Sequence, residues 1–195
     1  ILLFVLSFYL VLIPLFRSNM MDRKKEMISE LTNTAISLAR EYYDDYSSGI
    51  LPEDEAKSLA AERVGQMRYG EDRKDYFWIT DMRPWMVMHP YRKELNGTDL
   101  SDYTDTEGKK LFVEAVKLVE KEGEGFVDYM WQWKDDTTMI VPKLSYVKGF
   151  EEWQWVIGTG IYLEDVKQEI KIIQRNLLWI SFIIILVIAL ALAYI

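Results

Sequence analysis

The chain has 195 residues, a formal net charge of −8, one histidine and no cysteine. That balance leaves no basic patch to release counterions from nucleic acid, and the missing cysteines exclude disulfides, thiolate metal sites, cysteine nucleophiles and covalent haem attachment. The 7 Trp and 12 Tyr suit either a heavy aromatic core or a ligand cavity with polar tips.

Residues 1–16 are apolar and free of charge, and they lead through Arg17 into polar sequence with no A-x-A cleavage pattern behind them. Residues 1–17 are therefore expected to be a retained membrane helix, truncated at its start. Residues 18–46 read as one long helix. Ile28, Leu31, Ala35, Leu38 and Tyr42 recur at alternating spacings of three and four, a narrow stripe of coiled-coil type. Such a stripe serves the domain's own core and, running out of a membrane span, also predicts a homodimer. Ser47-Ser48-Gly49 breaks the helix, with Gly49 placed as a C-terminal cap. Pro52 opens a second helix with Glu53, Asp54 and Glu55 in its first turn and Ala56, Leu59, Ala60, Val64 and Met67 on its buried face.

From residue 75 the period becomes two. Residues 75–81 and 85–89 read as strands joined by a turn at Arg83-Pro84. A loop over 90–106 precedes a helix over 107–122, which Gly123 ends. Strands follow at 125–134, 139–147 and 153–162, separated by Asp135-Asp136 and Lys148-Gly149. These elements make an α+β domain on a five-stranded antiparallel sheet. A short helix over 164–175 leads into 177–195, an apolar run with Trp179 and Tyr194 near its ends and Lys171 and Arg175 before it. That composition predicts a second membrane span. The expected organisation is a membrane helix over 1–17, a sensor domain over 18–174 on one side of the membrane, and a second membrane helix over 175–195, with the effector beyond it.

Enzyme chemistry finds little support. His89 is the only histidine, so no Cys–His pair or two-histidine metal site exists. Gly158-Thr159-Gly160 lies inside an apolar strand and lacks the third glycine and following helix of a nucleotide loop; close backbone approach is its better reading. Asp99, Asp102, Asp105 and Glu107 crowd one loop without the spacing of an EF-hand. No metal and no cofactor is expected. Alternation places Tyr129, Trp131 and Trp133 on one face of a strand and Tyr76 and Trp78 on one face of another. Lys143 stands mid-strand among apolar residues. Burying it unpaired is costly, so it either points outward from a plain aromatic core or waits in an aromatic pocket for an anion.

The run Arg68-Tyr69-Gly70, Tyr76-Phe77-Trp78-Ile79, His89-Pro90, Gly97, Asp105-x-x-Gly108, Gly125-Phe126-Val127-Asp128-Tyr129, Lys143-x-x-Tyr146 and Trp153-x-Trp155-x-Ile157-Gly158-Thr159-Gly160-Ile161-Tyr162 resembles the single Cache (sCache) sensor domain of bacterial and archaeal chemoreceptors and sensor histidine kinases. The likeness covers about residues 20–174. It implies a PAS-like sheet with a long N-terminal helix, flanked by two transmembrane helices, on the outer side of the cytoplasmic membrane. It also implies a ligand that is a C2–C4 carboxylate, a non-catalytic role for this region, and a cytoplasmic methyl-accepting or histidine kinase module in the same chain. Arg68, Tyr76, Trp78, His89, Tyr129, Lys143 and Tyr146 are implied to face the ligand, with Trp131 beside them. The bulk of Trp131 and Trp133 departs from the pattern and shrinks or fills the cavity. A ligand-independent structural or dimerisation module is the alternative.

Overall fold

Six antiparallel strands form the sheet of the computed structural model, which describes residues 2–194, with side chains from residue 9 onward. In chain order these are β1 (Arg68–Tyr69), β2 (Asp75–Asp81), β3 (Met86–Met88), β4 (Glu124–Trp133), β5 (Asp136–Phe150) and β6 (Trp155–Tyr162). Spatially they run β1-β2-β6-β5-β4, with β3 also on β2. The helices are α1 (Leu2–Ser47), α2 (Glu53–Gln66), α3 (Leu111–Glu122) and α4 (Leu163–Tyr194). The chain divides into two units, one of Lys25–Leu163 and the other of residues up to Lys24 together with those from Glu164 onward.

Alternation sorts the sheet of the larger unit into two faces. Tyr76, Trp78, Val127, Tyr129, Trp131, Val147 and Val156 point to one side, where Leu111, Phe112, Ala115, Val116 and Val119 of α3 cover them. Phe77, Ile79, Trp155 and Ile157 point to the other, beneath Ala35, Ile36 and Ala39 of α1 and Ala56, Ala60 and Val64 of α2. The small alanines let both helices lie close to the sheet. The buried line on α1 is Ile28, Thr32, Ala35, Ile36 and Ala39, while Leu31, Leu38 and Tyr42 are only partly buried. The predicted stripe is thus rotated by about one residue, because Thr32 satisfies its hydroxyl internally on the Ile28 carbonyl at 2.7 Å and can be buried.

The sheet has one strand more than the five predicted from the period, because β1 is only two residues long and carries no alternation to read. Helix α3 begins at Leu111 and not at 107. The Asp105 carboxylate accepts the backbone N–H groups of Glu107, Lys109 and Met130 at 2.8 to 2.9 Å, which holds the intervening residues in a turn. Two other acids of that loop are also occupied structurally: Asp99 accepts from Ser101, and Asp102 pairs with Lys110 at 2.8 Å.

In the smaller unit, Lys24 pairs with Glu169 at 2.5 Å. The predicted helix over 164–175 and the apolar run after it are one uninterrupted helix, α4, since nothing between them breaks the backbone ladder. Among the described residues α4 is the one helix long and apolar enough to cross a membrane. The first expected span, 1–17, falls partly on residues 1–8, whose side chains lie outside those described.

Candidate ligand-binding site

Register sets the position of Lys143. It lies mid-way along β5, directly opposite Tyr129 on β4 and Tyr162 on β6, on the face that α3 covers. The side chain is 1% exposed, so the outward reading of this lysine is set aside. Its ammonium stands 4.1 Å from the centre of the Tyr76 ring and 4.8 Å from that of Tyr162, so ring faces meet the charge. Burial pushes the Lys143 pKa down from 10.5 to about 7, with Asp75 opposing that fall.

His89 follows β3 and is held from three sides. Its backbone N–H donates to Asn96 Oδ1 at 2.7 Å, and its ring Nδ1 accepts the backbone N–H groups of Tyr91 at 3.2 Å and Arg92 at 2.9 Å. An accepting Nδ1 carries no proton, so the neutral ring bears its hydrogen on Nε2. Burial, followed by the positive charges of Lys143, Arg92 and Arg68, holds the His89 pKa well below its ordinary value. The ring centroid lies 4.9 Å from Tyr76 and 5.6 Å from Trp131.

Trp78, His89, Leu111, Phe112, Tyr129 and Trp131 line a closely packed cavity that has no room for a water-sized sphere. It sits one aromatic ring, Tyr76, away from Lys143. Tyr129 Oη and Ser145 Oγ share a hydrogen bond of 2.8 Å, and burial pushes the phenol pKa up. The Trp131 and Trp78 indole N–H groups face the hydroxyls of Tyr76 and Tyr129, while His89 Nε2 is buried without a hydrogen-bond partner. Gly158 explains how Trp78 lies so close to the sheet. A β-carbon there would fall 2.6 Å from Trp78 Cζ2 and 3.1 Å from Val147 Cγ1.

The structure brings Tyr76, Trp78, His89, Tyr129, Trp131 and Lys143 together. Arg68 stands beside them: it donates to the carbonyls of Gly65 and Met67 at 2.6 and 2.7 Å and stacks 5.3 Å from the Tyr91 ring. Tyr146 lies elsewhere. Three residues along a strand from Lys143, it occupies the opposite face, where its ring meets Phe126 at 5.0 Å. A register shift between Gln132 and Trp133 takes Trp133 off the Trp131 face, and it meets the Lys134 ammonium at 4.8 Å. Trp131 alone fills the interior. Sequence reasoning passed over Tyr162, Phe112, Ser145 and Arg92, whose guanidinium stacks 5.8 Å from Trp131. Only Tyr162 had a usable signal, since it ends the strand that pairs with Lys143.

The family model for single Cache domain 2 matches residues 20–176. The chain is 34% identical over 160 residues, 82% of its length, to the methyl-accepting chemotaxis protein McpP of Pseudomonas putida. It is 36% identical over 154 residues, 79% of its length, to the sensor histidine kinase MctS of Rhizobium johnstonii. The chain spans 29% and 32% of the lengths of these two relatives. Among solved structures, a periplasmic sensor domain of a chemotaxis protein superposes with a TM-score of 0.68 at 38% identity, over 73% of this chain and 96% of that one. A Cache chemosensory domain solved for the structural basis of its carboxylic acid recognition superposes with a TM-score of 0.70 at 34% identity, over 74% of this chain and 97% of that one.

Proposed function

Because the chain belongs to the single Cache domain family, we propose that it is the sensor region of a transmembrane receptor that binds a C2–C4 carboxylate beside Lys143. The observation that carries this reading is a fully buried ammonium flanked by ring faces next to an aromatic pocket whose wall holds the unpartnered His89 Nε2. A cation so placed costs free energy until an anion meets it. The solved Cache domain that recognises carboxylic acids supports that class of anion.

In this reading the carboxylate sits against Lys143 and Tyr76, and Trp131 with the loop carrying His89 moves to admit it. The ligand shifts the receptor between two states by its difference in affinity for them. The shift passes through α1 and α4 to a methyl-accepting or histidine kinase module in the same polypeptide. Helices over 1–17 and 175–195 anchor the receptor in the inner membrane, with the domain outside the cytoplasm and two copies paired.

The test is thermal melting of the chain in detergent micelles against a panel of C2–C4 carboxylates. An acid at a hundred times its dissociation constant adds about 2.7 kcal/mol of stability. A melting temperature that no member of the panel moves at millimolar concentration overturns the sensor reading. It would favour the ligand-independent module, which the absence of room for a water-sized sphere in the cavity also favours.

A further inference from the structure

A second cavity, of about 280 Å³ and open to solvent, lies at the other end of α3. Val119, Glu120 and Gly123 at the end of that helix line it, together with Gly149 at the end of β5 and Glu151 and Gln154 in the turn that follows. Lys143 pairs with Tyr162 at one end of the β5–β6 ladder and Phe150 with Trp155 at the other. The strand from Lys143 to Phe150 covers about 23 Å, so this cavity is separate from the site beside Lys143. Two glycines shape it. A β-carbon at Gly149 would fall 2.8 Å from Val119 Cγ1, so glycine lets α3 lie this close to β5. A β-carbon at Gly123, where φ is +80°, would meet nothing within 4 Å, so that side stays open. Hydrogen bonds fix the frame: the Gly149 N–H donates to the Gly123 carbonyl at 3.0 Å, and the Gln154 carbonyl accepts the Met82 N–H at 3.0 Å.

The charge on its walls is of one sign. Glu120 and Glu151 are its charged residues, no lysine or arginine lines it, and the C-terminal end of α3 turns the negative pole of the helix dipole toward it. Among the described residues neither carboxylate is ion-paired, whereas their chain neighbours Glu122, Glu124 and Glu152 pair with Lys121, Lys148 and Arg40. Val119 and Met82 add apolar surface. From this preformed cavity and its uncompensated charge we propose a second ligand site, one that takes a protonated alkylamine. Its ammonium groups meet Glu120 and Glu151, and its methylenes lie on Val119 and Met82. Both glutamates stay exposed, so each contact is weak and screened by salt, and no charge has to be buried to form it. The site is opposite in sign to the one beside Lys143 and stands independently of the carboxylate reading.

The experiment titrates 1,4-diaminobutane calorimetrically into the whole chain in phosphatidylcholine nanodiscs, whose lipid carries no net charge for the diamine to follow. Wild type is expected to bind it at one saturable site, with affinity falling between about 20 and 200 mM salt. The uncharged 1,4-butanediol, of the same length, should not bind. Glu120→Gln and Glu151→Gln should each weaken binding about three- to fivefold, and the double variant about tenfold or more. Glu122→Gln removes the same charge outside the cavity and should change the affinity by less than about twofold. Lys143→Met should leave it unchanged. Equal losses in Glu120→Gln and Glu122→Gln would mean diffuse attraction to an acidic surface and overturn the inference. So would a diamine that fails to bind at millimolar concentration, or butanediol that binds equally well. None of these outcomes touches the carboxylate reading, which the acid panel tests separately.

Discussion

Replacing Lys143 by methionine separates the cost of the buried ammonium from its use. The pKa is held at about 7 against an ordinary 10.5, and at 1.36 kcal/mol for each pH unit that gap is roughly 5 kcal/mol carried by the unliganded fold at pH 7 and below. Contacts with the rings of Tyr76 and Tyr162 return about 1 kcal/mol each. Met fills nearly the same volume with no charge to desolvate, so Lys143→Met is expected to stabilise the empty protein by roughly 2–3 kcal/mol. The sign follows from linkage. Between pH 7 and 10.5 the unfolded chain holds a proton on this lysine that the folded chain has lost, so wild-type stability rises through that window. Melting of wild type and variant in parallel at pH 6, 8 and 9.5 should show the variant's advantage largest at pH 6 and shrinking upward. Ligand stabilisation should move the other way: losing a charge-assisted hydrogen bond to a buried anion costs about 1.5–3 kcal/mol, some 10- to 150-fold in affinity. A folded variant less stable than wild type at pH 6, or one that binds the best acid of the panel equally well, refutes the reasoning.

Three further outcomes follow from the packing. Gly158→Ala drives a methyl group to 2.6 Å from Trp78 and should cost about 1–3 kcal/mol and weaken ligand binding, read by melting and titration; a neutral result would mean the indole is free to move. Asp105→Ala frees the amides of Glu107, Lys109 and Met130 and should cost about 1–2 kcal/mol at neutral pH. Burial raises the Asp105 pKa less than those amides lower it, so the wild-type advantage should vanish as pH falls through the carboxyl's depressed pKa, and persistence of the advantage in acid counts against the capping role. If two copies pair along α1 in membranes, single cysteines at the exposed positions Glu30, Thr34, Ser37 and Glu41 should cross-link with a helical period while one at buried Thr32 does not; uniform absence of cross-links removes α1 from the interface.

The strand over Asp75–Asp81 was legible to the residue because two aspartates bound a short run of aromatic and β-branched side chains, Tyr76 to Thr80. Long α1 was equally plain in outline, but its buried line was misplaced by about one residue, since a threonine that bonds its own helix looks polar in a sequence and behaves as core. Tyr146 shows a different error. Its odd spacing from Lys143 already assigns it to the opposite face of β5, and reading the pair as one motif overrode a parity that was available. Trp133 had no such warning, because the bulge that turns it away depends on the β4–β5 pairing. The tautomer of His89 was likewise invisible, as it rests on backbone amides two and three residues along, brought back by a turn.

The most direct test of a carboxylate site at Lys143 is a crystal structure of the chain grown with the best acid of the panel. The account predicts a carboxylate oxygen about 2.7–3.0 Å from Lys143 Nζ, with Trp131 displaced from its place beside His89 and Phe112. An acid bound away from Lys143, with that ammonium still covered by the Tyr76 and Tyr162 rings, would contradict it.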